Sequence, residues 1–386
     1  MNFNEESLKR HKQYGGKLSV ESKMPIETRD DLSVVYTPGV AAPCRVIADN
    51  KEEVYNYTLK KNTVAVITDG SAVLGLGNIG AEASIPVMEG KAALFKKFAD
   101  VDAFPICLNT QDVDEIVETV KRIEPVFGGI NLEDISAPRC VEVEERLKKE
   151  LSIPVFHDDQ HGTAIVVLAA LINALRVVNK KKEDVKVVVN GAGAAGSAIT
   201  NMLYKYGFEN ILVCDLQGIL NASNTDGSEH QKKLTSFTNR ENLEGSLEKA
   251  LNNADIFVGV SAPNLLTKEM IENMAKDSIV LAMANPTPEI MPELAKKGGA
   301  KIVGTGRSDY ENQVNNVLAF PGIFRGALDA RASEISDKMK LVAAKAIADL
   351  QEDCLDENHI LPNALDERVV KAVSEAVYNQ AILDKE

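Results

Sequence analysis

Lys186–Gly207 reads KVVVNGAGAAGSAITNMLYKYG, and the fold of the chain turns on it. Val185–Val189 has the apolar, β-branched composition of a buried strand and runs almost directly into Gly191, Gly193 and Gly196. A helix is expected from there to Tyr206. The next strand, Asn210–Cys214, ends on Asp215, 19 residues past Gly196. Strand, tight glycine turn, helix, strand and terminal acid stand in the order and spacing of a Rossmann dinucleotide-binding unit. Glycines let the backbone of Gly191-Ala192-Gly193-Ala194-Ala195-Gly196 approach a pyrophosphate at the helix N-terminus. Asp215 is placed to bind both ribose hydroxyls of NAD and to repel the 2′-phosphate of NADP. The following Leu216-Gln217-Gly218 offers no cation to offset that repulsion, so NAD is expected and NADP stays open.

Upstream, Val126–Thr163 carries two apolar runs, Val126–Leu132 and Ile153–Phe156, each stopping on a pair of acids, Glu133-Asp134 and Asp158-Asp159. Arg139–Glu150 between them reads as a helix. In a strand–helix–strand unit the strands run parallel, so both acid pairs converge on one sheet edge. There they read either as a site for a hard divalent cation or as two solvated acidic loops. His157 and His161 flank the second pair at i, i+4, but no helical pattern is expected there. With oxygen ligands dominant, Mg²⁺ or Mn²⁺ suits the set better than zinc.

Towards the N-terminus, the first 20 residues read as an amphipathic helix and a loop, and Glu27–Val34 as a second helix. Tyr36–Pro43 (YTPGVAAP) must be a rigid turn. Tyr36 on it is either a positioned acid or a tyrosine packed at a corner. Asn62–Thr68 is a buried strand. The loop after it holds Gly75, Gly77 and Gly80 in GxGxxG spacing, which reads as a decoy: it stands too far from its strand for a tight dinucleotide turn, and contact with a substrate carboxylate or packing near the site suits it better. A helix over about Ile85–Ala99 carries Lys91 on its first turns between Gly90 and two alanines. Burial there would lower its pKa towards that of a base, whereas a solvated lysine would keep its charge. Val101–Leu108 is a strand, and Thr110 is an expected N-cap for a helix over Gln111–Ile123.

Downstream of the acids, Gly162–Asn179 is apolar on nearly all faces, as a buried helix joining two domains would be. Its apolar core, Ala164–Val178, is interrupted by Asn173 and Arg176 and is expected to be too short for a bilayer. After the glycine turn the alternation continues: strands at Asp255–Ser261, Ser278–Ala284 and Lys301–Thr305, helices at Thr267–Lys276 and Met291–Lys297. Asn285, in ANPT, follows the second of these strands. Asn315-Asn316 precede a helical tail running from Ile323, broken by a loop at Asp356–Pro362. An asparagine supplies donor and acceptor together, which suits a hydroxy acid or a nicotinamide amide as well as a turn. The fold expected is α/β: an N-terminal α/β substrate and metal domain (1–156), then a Rossmann-type domain with C-terminal helices (157–386). The net charge of −14 argues against nucleic acid or an anionic membrane as a partner. Five scattered cysteines, no CxxC and a polar N-terminus fit a soluble cytoplasmic protein.

Seven motifs taken together, YTPGVAAP, EGKAALFKKFA (Glu89–Ala99), NLEDI (Asn131–Ile135), FHDDQHGTA (Phe156–Ala164), NGAGAAG (Asn190–Gly196), ANPT (Ala284–Thr287) and NNVLAFPG (Asn315–Gly322), resemble the malic enzyme family in its short bacterial form. The resemblance implies oxidative decarboxylation of (S)-malate to pyruvate and CO₂ with NAD or NADP, through metal-bound oxaloacetate and enolpyruvate, and oxaloacetate decarboxylation as a partial activity. It makes Glu133, Asp134 and Asp159 the metal ligands, Tyr36 the general acid, Lys91 the general base and Asp158 its support. Asn285 and Asn316 would hold substrate or nicotinamide. It further implies a homodimer, with active-site residues shared across its interface, and no phosphotransacetylase-like extension. Three rivals stand beside it: a malolactic enzyme releasing lactate, expected to be longer; an amino acid dehydrogenase, which needs no such carboxylate cluster; and a non-catalytic NAD-sensing module.

Overall fold

The computed structural model describes residues 2–73, 75–225 and 229–386. The chain opens with four short helices: α1 (Phe3–Tyr14), α2 (Arg29–Val35), α3 (Ala41–Asp49) and α4 (Val54–Tyr57). Asn2 caps α1, and Thr28 caps α2 in a reciprocal box with Asp31, so both starts are locally encoded. No described residue before Lys60 is buried.

A parallel sheet of four strands follows: β1 (Thr63–Thr68), α5 (Gly80–Ala99), β2 (Asp102–Cys107), α6 (Val113–Ile123), β3 (Gly129–Leu132), α7 (Arg139–Glu150) and β4 (Val155–His157), in the order β2-β1-β3-β4. Helix α5 starts five residues earlier than its glycines and Pro86 suggest. Ala81, Ser84 and Met88 bury its face, and that packing outweighs weak propensity. Helix α6 is capped by Asp112, which accepts from the Glu115 amide, and not by Thr110.

Helix α8 (Asp158–Val178) joins the halves and begins four residues before the expected Gly162. Its first turn is the acid pair itself, which the positive end of the helix dipole favours, so His161 lies on a helix. At 21 residues the helix is longer than its apolar core Ala164–Val178 and, contrary to expectation, is long and apolar enough to cross a membrane. Here its apolar surface is covered by protein, with Ala164–Leu175 buried throughout.

The second sheet holds β5 (Lys186–Asn190), α9 (Ala194–Tyr206), β6 (Asn210–Asp215), β7 (Gly218–Ile219), α10 (Glu229–Thr235), α11 (Leu247–Leu251), β8 (Ile256–Gly259), α12 (Lys268–Glu272), β9 (Ile279–Ala282), α13 (Pro292–Lys297) and β10 (Ile302–Thr305). Strand order is β10-β9-β8-β5-β6-β7, parallel except for the β6–β7 hairpin. The order reverses between β5 and β8, where open α/β sheets bind their ligands.

The tail forms α14 (Phe320–Asp329), α15 (Asp337–Asp349) and α16 (Glu367–Leu383). It does not belong to the second half alone. Phe320 and Phe324 of α14 stack edge-on against Phe95 of α5 at 4.7 and 5.3 Å. Arg325 donates to the Asn62 side chain at 2.6 Å. One hydrophobic core runs from Val64 and Phe95 through α8 to Val187 and Ile323. The division at 156/157 cuts β4 one residue short and assigns to the second domain helices that also roof the first.

Candidate active site

Strand register builds the site. Leu132 pairs with His157 across β3 and β4, so Glu133-Asp134 and Asp158-Asp159 leave neighbouring strands side by side. Asp134 takes a left-handed backbone (φ 54°), one that Asp tolerates better than most side chains, and this turns the chain sharply off β3. Its amide donates to Asp159 Oδ2 at 2.9 Å, and its carbonyl accepts from Ala72. Carboxylate oxygens of Glu133, Asp134 and Asp159 then lie within 4.8 Å of one another. Glu133 and Asp134 are buried and the Asp159 side chain is 42% exposed, so the cluster opens to one side. An all-oxygen donor set of this kind fits a hard divalent cation. The Asp158 Oδ1 atom beside it is buried without a hydrogen-bond partner among the described residues.

Lys91 is buried and reaches this edge from α5. Its Nζ lies 2.6 Å from Asp158 Oδ2 and 3.0 Å from Glu133 Oε1, with the Phe320 ring 4.1 Å away on another side. Burial alone pushes the ammonium towards its neutral form. Asp158 and Glu133 more than reverse that, and the net shift is upward. The lowered pKa expected from a small-residue corridor is therefore not found with both carboxylates ionised and in contact. Burial raises Glu133, with Lys91 opposing. Asp158 is pushed up to about 6 by burial, again against the pull of Lys91. Asn316 donates its amide to Asp158, and Asn131 donates to Glu133 Oε2 at 2.9 Å. A Cβ on Gly162 would stand 2.0 Å from Asp158 Oδ1 and 3.2 Å from Asn316 Cβ, so only glycine admits this contact.

Other predicted residues lie further out. Tyr36 follows the last turn of α2, is 68% exposed, and makes no hydrogen bond to Lys91 or the four acids among the described residues. Asn285 sits on an exposed loop after β9. The loop of Gly75 and Gly77 (φ 75° at both) lies between β1 and α5 and is too long for a tight strand-to-helix turn; a Cβ on Gly75 would meet Pro286 at 3.5 Å. The Gly191–Gly196 turn does link β5 to α9. A Cβ on Gly196 would stand 1.7 Å from the Gly191 carbonyl oxygen, which shows how closely helix and strand approach. Asp215 ends β6.

A support layer not expected from the sequence surrounds the two acid pairs. Asp69, one residue past β1, accepts from Arg139 at 2.9 Å, and Ser71 accepts from the same guanidinium while holding the Ser136 amide. An acid directly after a buried strand, as in the two pairs noticed, was the available signal. Glu144 of α7 accepts from the His157 amide at 3.1 Å and from His161 Nε2 at 2.9 Å, with Lys148 at 2.7 Å. It ties α7 to the turn that delivers both Asp158 and Asp159.

Comparison with known proteins agrees along nearly the whole chain. Residues 15–148 match the malic enzyme N-terminal domain and residues 160–382 the malic enzyme NAD-binding domain. The bifunctional malic/malolactic enzyme of Bacillus subtilis is 57% identical over 384 residues, 99% of this chain and 94% of its own. The NAD-dependent malic enzyme of Geobacillus stearothermophilus is 58% identical, over 95% of this chain and 77% of its own. The crystal structure of a malic enzyme from Pyrococcus horikoshii superposes with a TM-score of 0.95 at 48% identity, covering 99% of this chain and 91% of that one. Further relatives are named as NADP-dependent.

Proposed function

The chain belongs to the malic enzyme family, and from that premise we propose that it oxidises (S)-malate with NAD and releases pyruvate and CO₂. The observation that carries the reading is Lys91, buried between Asp158 and Glu133 beside a three-carboxylate cluster.

Glu133, Asp134 and Asp159 would hold Mg²⁺ or Mn²⁺, which when bound supplies Lewis-acid polarisation of the substrate's C2 oxygen. Lys91 takes the C2 hydroxyl proton as hydride leaves C2 for the dinucleotide, giving oxaloacetate. For that it must be neutral; Asp158 and Glu133 hold it protonated, and Glu133 would do so less while serving as a ligand to a cation. Asp158, fixed by the Asn316 amide, aims the lysine nitrogen and balances its charge after proton transfer. Loss of CO₂ from C3 leaves the enolate of pyruvate, and Tyr36 delivers a proton to C3, giving pyruvate. Asn285 orients substrate or nicotinamide from the β9 loop. The adenosine half lies on Gly191–Gly196, with Asp215 on the ribose, which favours NAD over NADP.

Tyr36 and the other residues before Lys60 expose Ile26, Leu32 and Val34 at 53%, 51% and 63%. Apolar side chains exposed to this degree call for cover, and we propose a second copy of the chain as their partner, with Tyr36 completing its surroundings at the interface.

Steady-state rates on malate with NAD and NADP side by side, Mn²⁺ present, test the reaction. Equal amounts of reduced dinucleotide and pyruvate, with kcat/KM higher for NAD, are expected. Lactate without accumulation of NADH would instead identify malolactic chemistry. That second reading is favoured by the name of the Bacillus subtilis relative, whose length is close to that of this chain, contrary to the length expected of such enzymes. Dinucleotide binding with no turnover would leave a sensing module.

A further inference from the structure

Glu289 is fully buried, and no cation pairs with it among the described residues. Burial raises its pKa, and only backbone amides and the Ser261 side chain oppose that. An uncompensated acid in an interior is costly, and no step of the reaction above uses it. Its contacts show what it holds. Oε1 accepts from the Ser261 amide and Oε2 from the Ala284 amide, both at 3.0 Å. Ser261 lies just past the end of β8 and Ala284 just past the end of β9, so one carboxylate spans the exits of adjacent strands. Gly259 makes the room, because a Cβ there would stand 2.5 Å from the Glu289 carboxyl carbon.

Both loops continue into the site. Val260 borders the dinucleotide turn: its carbonyl oxygen lies 2.8 Å from where a Gly191 Cβ would stand, and its amide donates to Asn190. Ser261 accepts from the Asn190 side chain at 2.7 Å. Ala284 leads into Asn285-Pro286, which meets Gly75 of the first half. We propose that Glu289 is a positioning residue for the nicotinamide end of the dinucleotide, its buried carboxylate locking the β8 and β9 loops together so that Asn285 is held at the seam between the two halves. A carboxylate suits this task because it presents two acceptors and no donor, whereas a glutamine turns an N–H towards one of the two amides.

The inference rests on the dinucleotide lying across Gly191–Gly196 and not on malate as the substrate. NADH binding is read by its fluorescence and ADP-ribose binding by calorimetry, in the full chain and in Glu289→Gln. The variant is expected to bind NADH about tenfold more weakly and to lose kcat on malate. ADP-ribose, which lacks the nicotinamide, should bind within about twofold of the parent chain. Unchanged NADH binding and kcat would overturn the inference, as would equal weakening of both ligands, which marks a general structural role. Should Glu289→Gln fail to fold, Gly259→Ala displaces the same carboxylate without altering its charge and is judged by the same two ligands. A parent chain that binds NADH but turns over no malate would sink the proposed reaction and leave the binding comparison to decide this inference.

Discussion

Lys91 shows how far a single side chain's chemistry depends on its neighbours. Its local sequence, a lysine among glycine and alanines, suggests a desolvated base. The fold surrounds it with Asp158 and Glu133, and these reverse the sign of the shift. Its basicity thereby becomes conditional on what else claims Glu133. Lys91→Ala is expected to lower kcat for malate oxidation by about 10²–10⁴-fold, the usual worth of a positioned proton acceptor. NADH affinity should be unchanged, because the Gly191–Gly196 turn lies on the other sheet. Initial rates together with NADH fluorescence titration check this; a parallel loss of NADH binding would place Lys91 outside the role given to it.

At the scale of elements, the decisive contact is between α7 and the start of α8. Glu144 is buried and accepts from the His157 amide and from the His161 ring. Lys340 of α15 donates to the other ring nitrogen of His161 at 3.3 Å, which assigns the remaining ring proton to the nitrogen facing Glu144. Burial opposes ionisation of Glu144, but His161 and Lys148 overcome it, and its pKa falls well below the ordinary 4.5. A carboxylate depressed in the folded state stabilises fully above its unfolded pKa and stops doing so as pH falls through the folded value. Glu144→Gln should therefore cost about 1.5–3 kcal/mol at pH 7, a range typical of hydrogen bonds to charged groups. The gap between parent and variant should narrow progressively below about pH 4.5. Denaturant unfolding across that range is the measurement, and a gap independent of pH would contradict the assignment.

For the whole molecule, one core binds both halves, so the seam along β4 and α8 is a packed joint and not a loose linker. The region before Lys60 is the exception, with apolar side chains exposed and none of its described residues buried. If a second copy covers it, sedimentation will report twice the 41.8 kDa of one chain. Val34→Asp, which places a charge among these exposed side chains, should then shift the protein towards monomer and depress turnover, since Tyr36 lies two residues away. A variant that stays dimeric and fully active would move the interface elsewhere.

Much of this was legible in the chain itself. The glycine turn, the acid at the end of β6 and the acid pairs after β3 and β4 are local patterns, because strand composition, tight turns and strand-terminal acids are properties of short segments. Helix starts were less legible: α5 and α8 both begin earlier than their glycines and proline suggest, since burial of one face outweighs propensity. Only the tertiary structure decided which groups face one another. Asn316 and Asp158 meet across 158 residues of sequence, Arg325 and Asn62 across 263, and neither pairing leaves a trace in local pattern. The charge state of Lys91, the clamp made by Glu289 and the roof that α14 places over the first sheet belong to that second kind. Each depends on burial and on the field of distant neighbours, and both arise only when remote segments close into one core.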